Sequence, residues 1–104
     1  MRFMAPAVAA LLVANAPAMA VDPPGKKAFE RHCVHCHGPA IDAPATLQLG
    51  RTRGEDKALL TERKDLGKEY VQYVVRHGLK SMPAFVPSDL TDADLRALAD
   101  YLAR

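Results

Sequence analysis

Apolar positions in the second half of the chain recur with the period of helices. Within 67–77, Tyr70, Val71, Val74 and Val75 fall at i, i+1, i+4 and i+5, one helical stripe despite the β-branched side chains. A strand over Val71–Val75 is the competing reading, but no second strand is visible to pair with it. Arg76 and His77 suit the negative end of this helix, and Gly78 is a good C-terminal stop. Thr91 and Asp94 then make a capping-box-like start, followed by Leu95, Leu98 and Leu102 with Ala99 and Tyr101 beside them. They predict an amphipathic terminal helix of about three turns. Earlier, Pro23 and Pro24 end an extended lead-in, and Gly25 opens a helix running into the segment 33–37. Gly25 and Phe29 share one of its faces, with Ala28 and His32 alongside.

The stretches between these helices look irregular. Gly38, Pro39, Pro44, Gly50 and Gly54 crowd residues 38–54, which reads as loop. Residues 55–65 are charged around one apolar pair, Leu59 and Leu60, and suit a short surface helix. Pro83 and Pro87 fix 79–88 as a further loop. The fold class is all-α: three main helices joined by long loops, with no hairpin signal and no internal repeat. Loops that long are unusual in a compact domain unless they wrap something.

The first 20 residues differ from the rest. Arg2 is their one charge, an apolar Ala-rich run follows, and small residues stand at Ala18 and Ala20. That is the layout of a secretory signal peptide, cut between Ala20 and Val21 and exporting the rest to the periplasm. An uncleaved anchor is the alternative. The run falls short of the ~20 apolar residues that span a bilayer, and Pro6, Asn15 and Pro17 interrupt it. Taking 20 residues from 104 leaves a single domain of 84, residues 21–104. Of 14 basic and 12 acidic side chains only Arg2 leaves with the signal, so the remainder is nearly neutral. No dominant basic stripe marks a nucleic-acid binder and no basic amphipathic helix marks a lipid surface. A chain this small, with two Phe, three Tyr and no Trp after cleavage, builds little core unaided. Domains of this size often depend on a disulfide, a metal or a cofactor.

Its two cysteines, in Cys33-Val34-His35-Cys36-His37, follow the c-type haem attachment pattern. Cysteines at i and i+3 on a helical turn reach two neighbouring vinyl groups of one haem, and His37, next in line, falls beneath the iron. A structural zinc site needs a second ligand pair, which the chain lacks, and His77 alone does not complete one. A redox-active C-x-x-C usually sits on a strand–helix unit, also missing. A local disulfide gives little support to 84 residues. His32 precedes the motif and His35 lies between its cysteines, and both read as solvent-facing polar residues.

The sixth iron ligand follows by elimination. Met1, Met4 and Met19 leave with the signal, so Met82 is the one methionine of the remaining chain. Methionine opposite histidine raises the potential of an electron carrier. Ser81 and Pro83 place Met82 in a loop and not on a packed helix face. His77 and Lys80 compete for the role.

With these residues in place the chain resembles class I cytochromes c, through Cys33–His37, the run Gly78–Phe85 containing Met-Pro-Ala-Phe, and a closing helix ending in Tyr101-Leu102. The resemblance spans residues 21–104. It implies the cytochrome c fold around one covalent haem c, a crossing of Gly25 and Phe29 against Leu98 and Tyr101, and a proline loop whose carbonyl accepts the proximal imidazole N–H. Pro44 matches that loop best, with Pro39 as the alternative. The segment Val74–Phe85 is also similar to the cytochrome subunits of flavocytochromes that oxidise 4-alkylphenols, of the 4-cresol dehydrogenase and eugenol hydroxylase kind. There a separate flavin subunit does the chemistry and the cytochrome takes its electrons singly.

The function expected is electron transfer, with no catalytic residue of its own, either as the subunit of a flavin-containing dehydrogenase or as a free periplasmic carrier. A haem peroxidase or a gas sensor needs an open iron position, which Met82 argues against. The docking face expected near the haem edge comprises Val34, Leu79, Pro83, Ala84, Phe85 and Val86, with Lys80 and Arg76 as a basic rim.

Overall fold

The computed structural model describes residues 1–12 and 21–104. Residues 1–12 are exposed and without regular structure; the expected cleavage site at Ala18–Ala20 lies outside the described residues. Five helices follow: α1 (Pro24–His32), α2 (Val34–His37), α3 (Pro44–Arg53), α4 (Lys68–His77) and α5 (Asp92–Leu102). Two single 3₁₀ turns, Glu55–Lys57 and Leu60–Glu62, join α3 to α4. The fold is all-α, with no strand among the described residues and one isolated bridge between Leu79 and Met82.

The core is made where α1 and α4 pack on α5. Ala28 and Phe29 come from α1, Val71 and Val75 from α4, and Leu95, Leu98, Ala99 and Leu102 from α5, with Leu90 just before it. The α5 stripe is the one that helical periodicity marked; of the α4 stripe, Val71 and Val75 are buried, Val74 is half-buried and Tyr70 is exposed. Proline at the first position of α1 has a fixed φ suited to a helix start and lacks only an N–H that had no helical partner. Thr91 caps α5 by accepting from the Asp94 amide at 3.2 Å.

The crossing of α1 and α5 is close enough to exclude a side chain. A Cβ on Gly25 would run into the Ala97 carbonyl and the Tyr101 Cβ. One turn on, Phe29 meets Tyr101 with ring centroids 6.3 Å apart and planes tilted by 55°, and Leu98 of the same core cluster is fully buried. Gly25 and Phe29 thus both meet Tyr101, and Gly25 also meets Ala97.

Three expectations change. The first helix does not run unbroken into the cysteine motif: Cys33 departs from helical geometry (φ −119°, ψ −29°), and α2 resumes as a separate turn. The segment 38–54 is not all loop, because α3 fills Pro44–Arg53. Two of its breakers stand where a helix tolerates them, Pro44 at the first position and Gly54, at φ 101°, just past the end, while Gly50 lies inside it. Finally, 55–65 is two 3₁₀ turns and not one surface helix, since Leu59 between them is extended (φ −94°, ψ 117°). Arg63 donates to both carboxylate oxygens of Asp65, at 2.9 and 2.7 Å, and holds that carboxyl below its ordinary range.

The Gly25 crossing generates the first prediction. Gly25→Ala gains up to about 1 kcal/mol of helix propensity and incurs an overpacking cost of about 1–3 kcal/mol against backbone that cannot yield. The expected outcome is a net loss of stability, read as a lower urea midpoint at unchanged slope. An equal or higher midpoint would contradict the close crossing.

Candidate functional site

The break after α1 sets the two cysteines differently. Cys33 is half-buried against the core, whereas Cys36 is exposed, and both are free thiols. Burial, with a smaller contribution from Cys36, pushes the Cys33 thiol up to about 11. Reactive redox cysteines need the opposite shift, toward thiolate, so this pair is poorly suited to disulfide exchange. Among the described residues no three His, Cys, Asp or Glu side chains cluster as a metal site would require.

His37 follows on the same turn, its amide bonded to the Cys33 carbonyl at 2.9 Å. Burial lowers its pKa and favours the neutral imidazole, the form that ligates metals. Its Nδ1 is buried with no hydrogen-bond partner, an exception among buried polar atoms. The carbonyl of Pro44 does not reach it, contrary to expectation. Pro44 is exposed at the start of α3, where a helical carbonyl accepts from the amide four residues on. Pro39 is exposed as well. What closes this region is Thr46, whose hydroxyl donates to the Gly38 carbonyl at 2.8 Å and ties α3 to the end of α2. That contact left no signal in the sequence, because α3 itself was hidden behind its breakers.

Met82 packs against the same core cluster from a distant part of the chain. Met82, Phe85, Cys33, Val34, Leu60 and Leu66 are partly buried side chains packed against the one cluster. The loop carrying Met82 turns back sharply at Gly78 (φ 77°), where a Cβ would stand 2.7 Å from the Met82 carbonyl. Leu79 and Met82 exchange backbone hydrogen bonds of 3.1 and 2.9 Å across Lys80 and Ser81. Lys80 takes a positive φ of 53°, a costly conformation for a residue with a side chain and of the kind that collects at ligand clamps. The Phe85 amide then donates to the Val75 carbonyl at 2.8 Å, returning the chain to α4.

The other residues considered divide clearly. His77 is exposed, stacks on Tyr73 at 4.0 Å and bonds the Tyr73 carbonyl through Nδ1 at 2.8 Å, so its ring is engaged with its own helix. His35 is exposed. His32 is not solvent-facing but half-buried, edge-on to Phe85 at 6.2 Å, because the Met82 loop folds over the end of α1. Val34 and Phe85 are likewise half-buried, which leaves Leu79, Pro83, Ala84 and Val86, with Lys80, as the exposed part of the expected docking face. Arg76 does not belong to its rim. The side chain folds inward, 19 % exposed, onto backbone carbonyls.

The donors present fit a covalent c-type haem. Two free thiols stand three residues apart, a half-buried imidazole whose burial favours the neutral form follows them, and the Met82 thioether packs on the same core cluster. The core is also small for the chain: four of its eleven buried apolar side chains are alanines. Leu47, Leu79, Tyr70 and Tyr73 remain 42–61 % exposed. A large apolar group would extend such a core.

Known proteins point the same way. The family described as cytochrome C oxidase, cbb3-type, subunit III matches residues 20–102. The chain is similar to the cytochrome c subunit of 4-cresol dehydrogenase [hydroxylating] from Pseudomonas putida, 32% identical over 79 residues. That alignment covers 76% of this chain and 58% of the relative, so the chain spans little more than half of the relative's length. Among solved structures it resembles p-cresol methylhydroxylase at 32% identity, with a TM-score of 0.53, over 76% of this chain and 89% of that one. The same protein with substrate bound gives 0.54, over 76% and 88%.

Proposed function

The chain belongs to this cytochrome family, and from that premise we propose that it moves single electrons through one covalent haem c. Cys33 and Cys36 would hold it through thioether links, and His37 and Met82 would ligate its iron. The haem supplies a one-electron change at iron. The observation that carries this reading is that Cys33 and Met82, from distant parts of the chain, both pack against one core cluster, while His37, on the same turn as Cys33, has a buried Nδ1 without a partner. Met82 sits in a loop bonded to α4 at its far end and closed on itself at its start. A ligand so held moves little when an electron arrives. Residues 1–20 serve as the export signal and residues 21–104 as the periplasmic cytochrome domain. Among the described residues no helix is long and apolar enough to cross a membrane.

The partner we propose is a flavin-containing dehydrogenase, from which the haem accepts electrons one at a time. The similarity to a 4-cresol dehydrogenase cytochrome subunit supports it. So does the exposed face of Leu79, Pro83, Ala84 and Val86, which is apolar with Lys80 as its one charge. Apolar burial holds a docked subunit largely independent of salt, whereas a transient carrier depends on electrostatic steering and loses association rate as salt rises.

Two experiments follow. Met82→Ala is expected to keep the covalent haem, lower its reduction potential and open the iron to imidazole or carbon monoxide; an unchanged spectrum and potential would assign the ligand to His77, Lys80 or another group. Size-exclusion chromatography with flavin dehydrogenases of the same cell is expected to show a complex that persists from low to high salt. Elution of the cytochrome alone, with reduction rates falling steeply with salt, would make it a free carrier.

A further inference from the structure

Arg76 occupies the last turn of α4, and its guanidinium points away from solvent. Nη1 donates to the Phe85 carbonyl at 3.0 Å and to the Leu90 carbonyl at 2.8 Å, and Nη2 donates to Asp92 at 2.6 Å. The three acceptors come from both ends of the connection between the Met82 loop and α5. With the Phe85 amide already bonded to Val75, both backbone groups of Phe85 are committed to the end of α4. The Met82 backbone is bracketed on its other side by the paired bonds to Leu79. Leu79–Phe85 is thus a short segment fixed at two points, and Arg76 is the side chain that secures the second.

We propose that Arg76 is a positioning residue for Met82: it holds the Phe85 end of the loop so that the thioether stays on the iron. This rests on Met82 being the sixth ligand. The planar guanidinium is what the geometry requires, since two carbonyls and a carboxylate are met from different directions by one rigid group. A lysine ammonium retains the pair with Asp92 but cannot hold both carbonyls in the same fork. Asp92 itself is 73 % exposed, so its share of the clamp is screened and small.

The test compares ferric holoprotein carrying Arg76→Lys, Arg76→Gln or Asp92→Asn with wild type, using imidazole as the competing ligand. Imidazole displaces the thioether only when the loop lets it go. Losing charge-assisted bonds to two carbonyls should tighten apparent imidazole binding about tenfold or more in both Arg76 variants. It should also weaken the sulfur-to-iron charge-transfer band and lower the potential. Asp92→Asn should change binding by less than about threefold. Amide exchange adds a readout independent of the iron: the Phe85 amide should exchange faster in Arg76→Lys while those of Val74 and Val75, inside α4, do not. Met82→Ala separates the two claims. If it binds imidazole no better than wild type, Met82 is not the ligand and both readings fall. If Met82→Ala opens the iron but the Arg76 variants merely melt earlier, with wild-type imidazole affinity, potential and Phe85 exchange, Arg76 only stabilises the fold and the proposal is overturned.

Discussion

At Gly25 the backbone of α1 lies against the backbone of α5, and nothing larger than hydrogen fits between them. That contact sets how deeply α1 enters the core. It brings Ala28 and Phe29 into the core cluster with Leu98 and beside Tyr101. Cys33, just past the end of α1 and eight residues after Gly25, packs against that same cluster. Met82 reaches the same core cluster through a different chain of constraints: α4 packs on α5, Gly78 reverses the chain, and the Val75 and Arg76 bonds to Phe85 complete the return. Both sides of the site are therefore referenced to one helix, α5, although α5 contributes no proposed ligand.

The third part of the domain, residues 38–66, is built differently. Helix α3 buries none of its own side chains. It is tied to the cysteine turn by Thr46, whose hydroxyl donates to the Gly38 carbonyl. A segment with so little burial of its own depends on what it covers. The proposed haem would give it that role. Small domains commonly extend a thin core with a cofactor in this way.

The helices that bury a full stripe were legible in the sequence, because burial imposes period 3.6 on apolar residues. Val71 and Val75, and Leu95, Leu98 and Leu102, announce α4 and α5 directly. The Cys33–His37 motif was equally legible, being local chemistry at fixed spacing. Helix α3 was not, since it lacks a buried stripe and its Pro44 and Gly54 read as breakers until their places at its two ends are known. Arg76 was read as a rim charge for a related reason. A basic residue at a helix end fits both solvent and carbonyl acceptors, and only the path of the loop at 85–90 brings those carbonyls to it. The Pro44 contact with His37 was carried over from family resemblance, and α3 directs that carbonyl into its own first turn.

The most direct test of the central claim is the intact mass of the exported protein after denaturation, with peptide mapping of the 33–37 segment. The account requires a chain beginning at Val21 that keeps one haem under conditions that strip non-covalent ligands, with the added mass on both Cys33 and Cys36. A chain of bare polypeptide mass, whether with free thiols or with a Cys33–Cys36 disulfide, would contradict it.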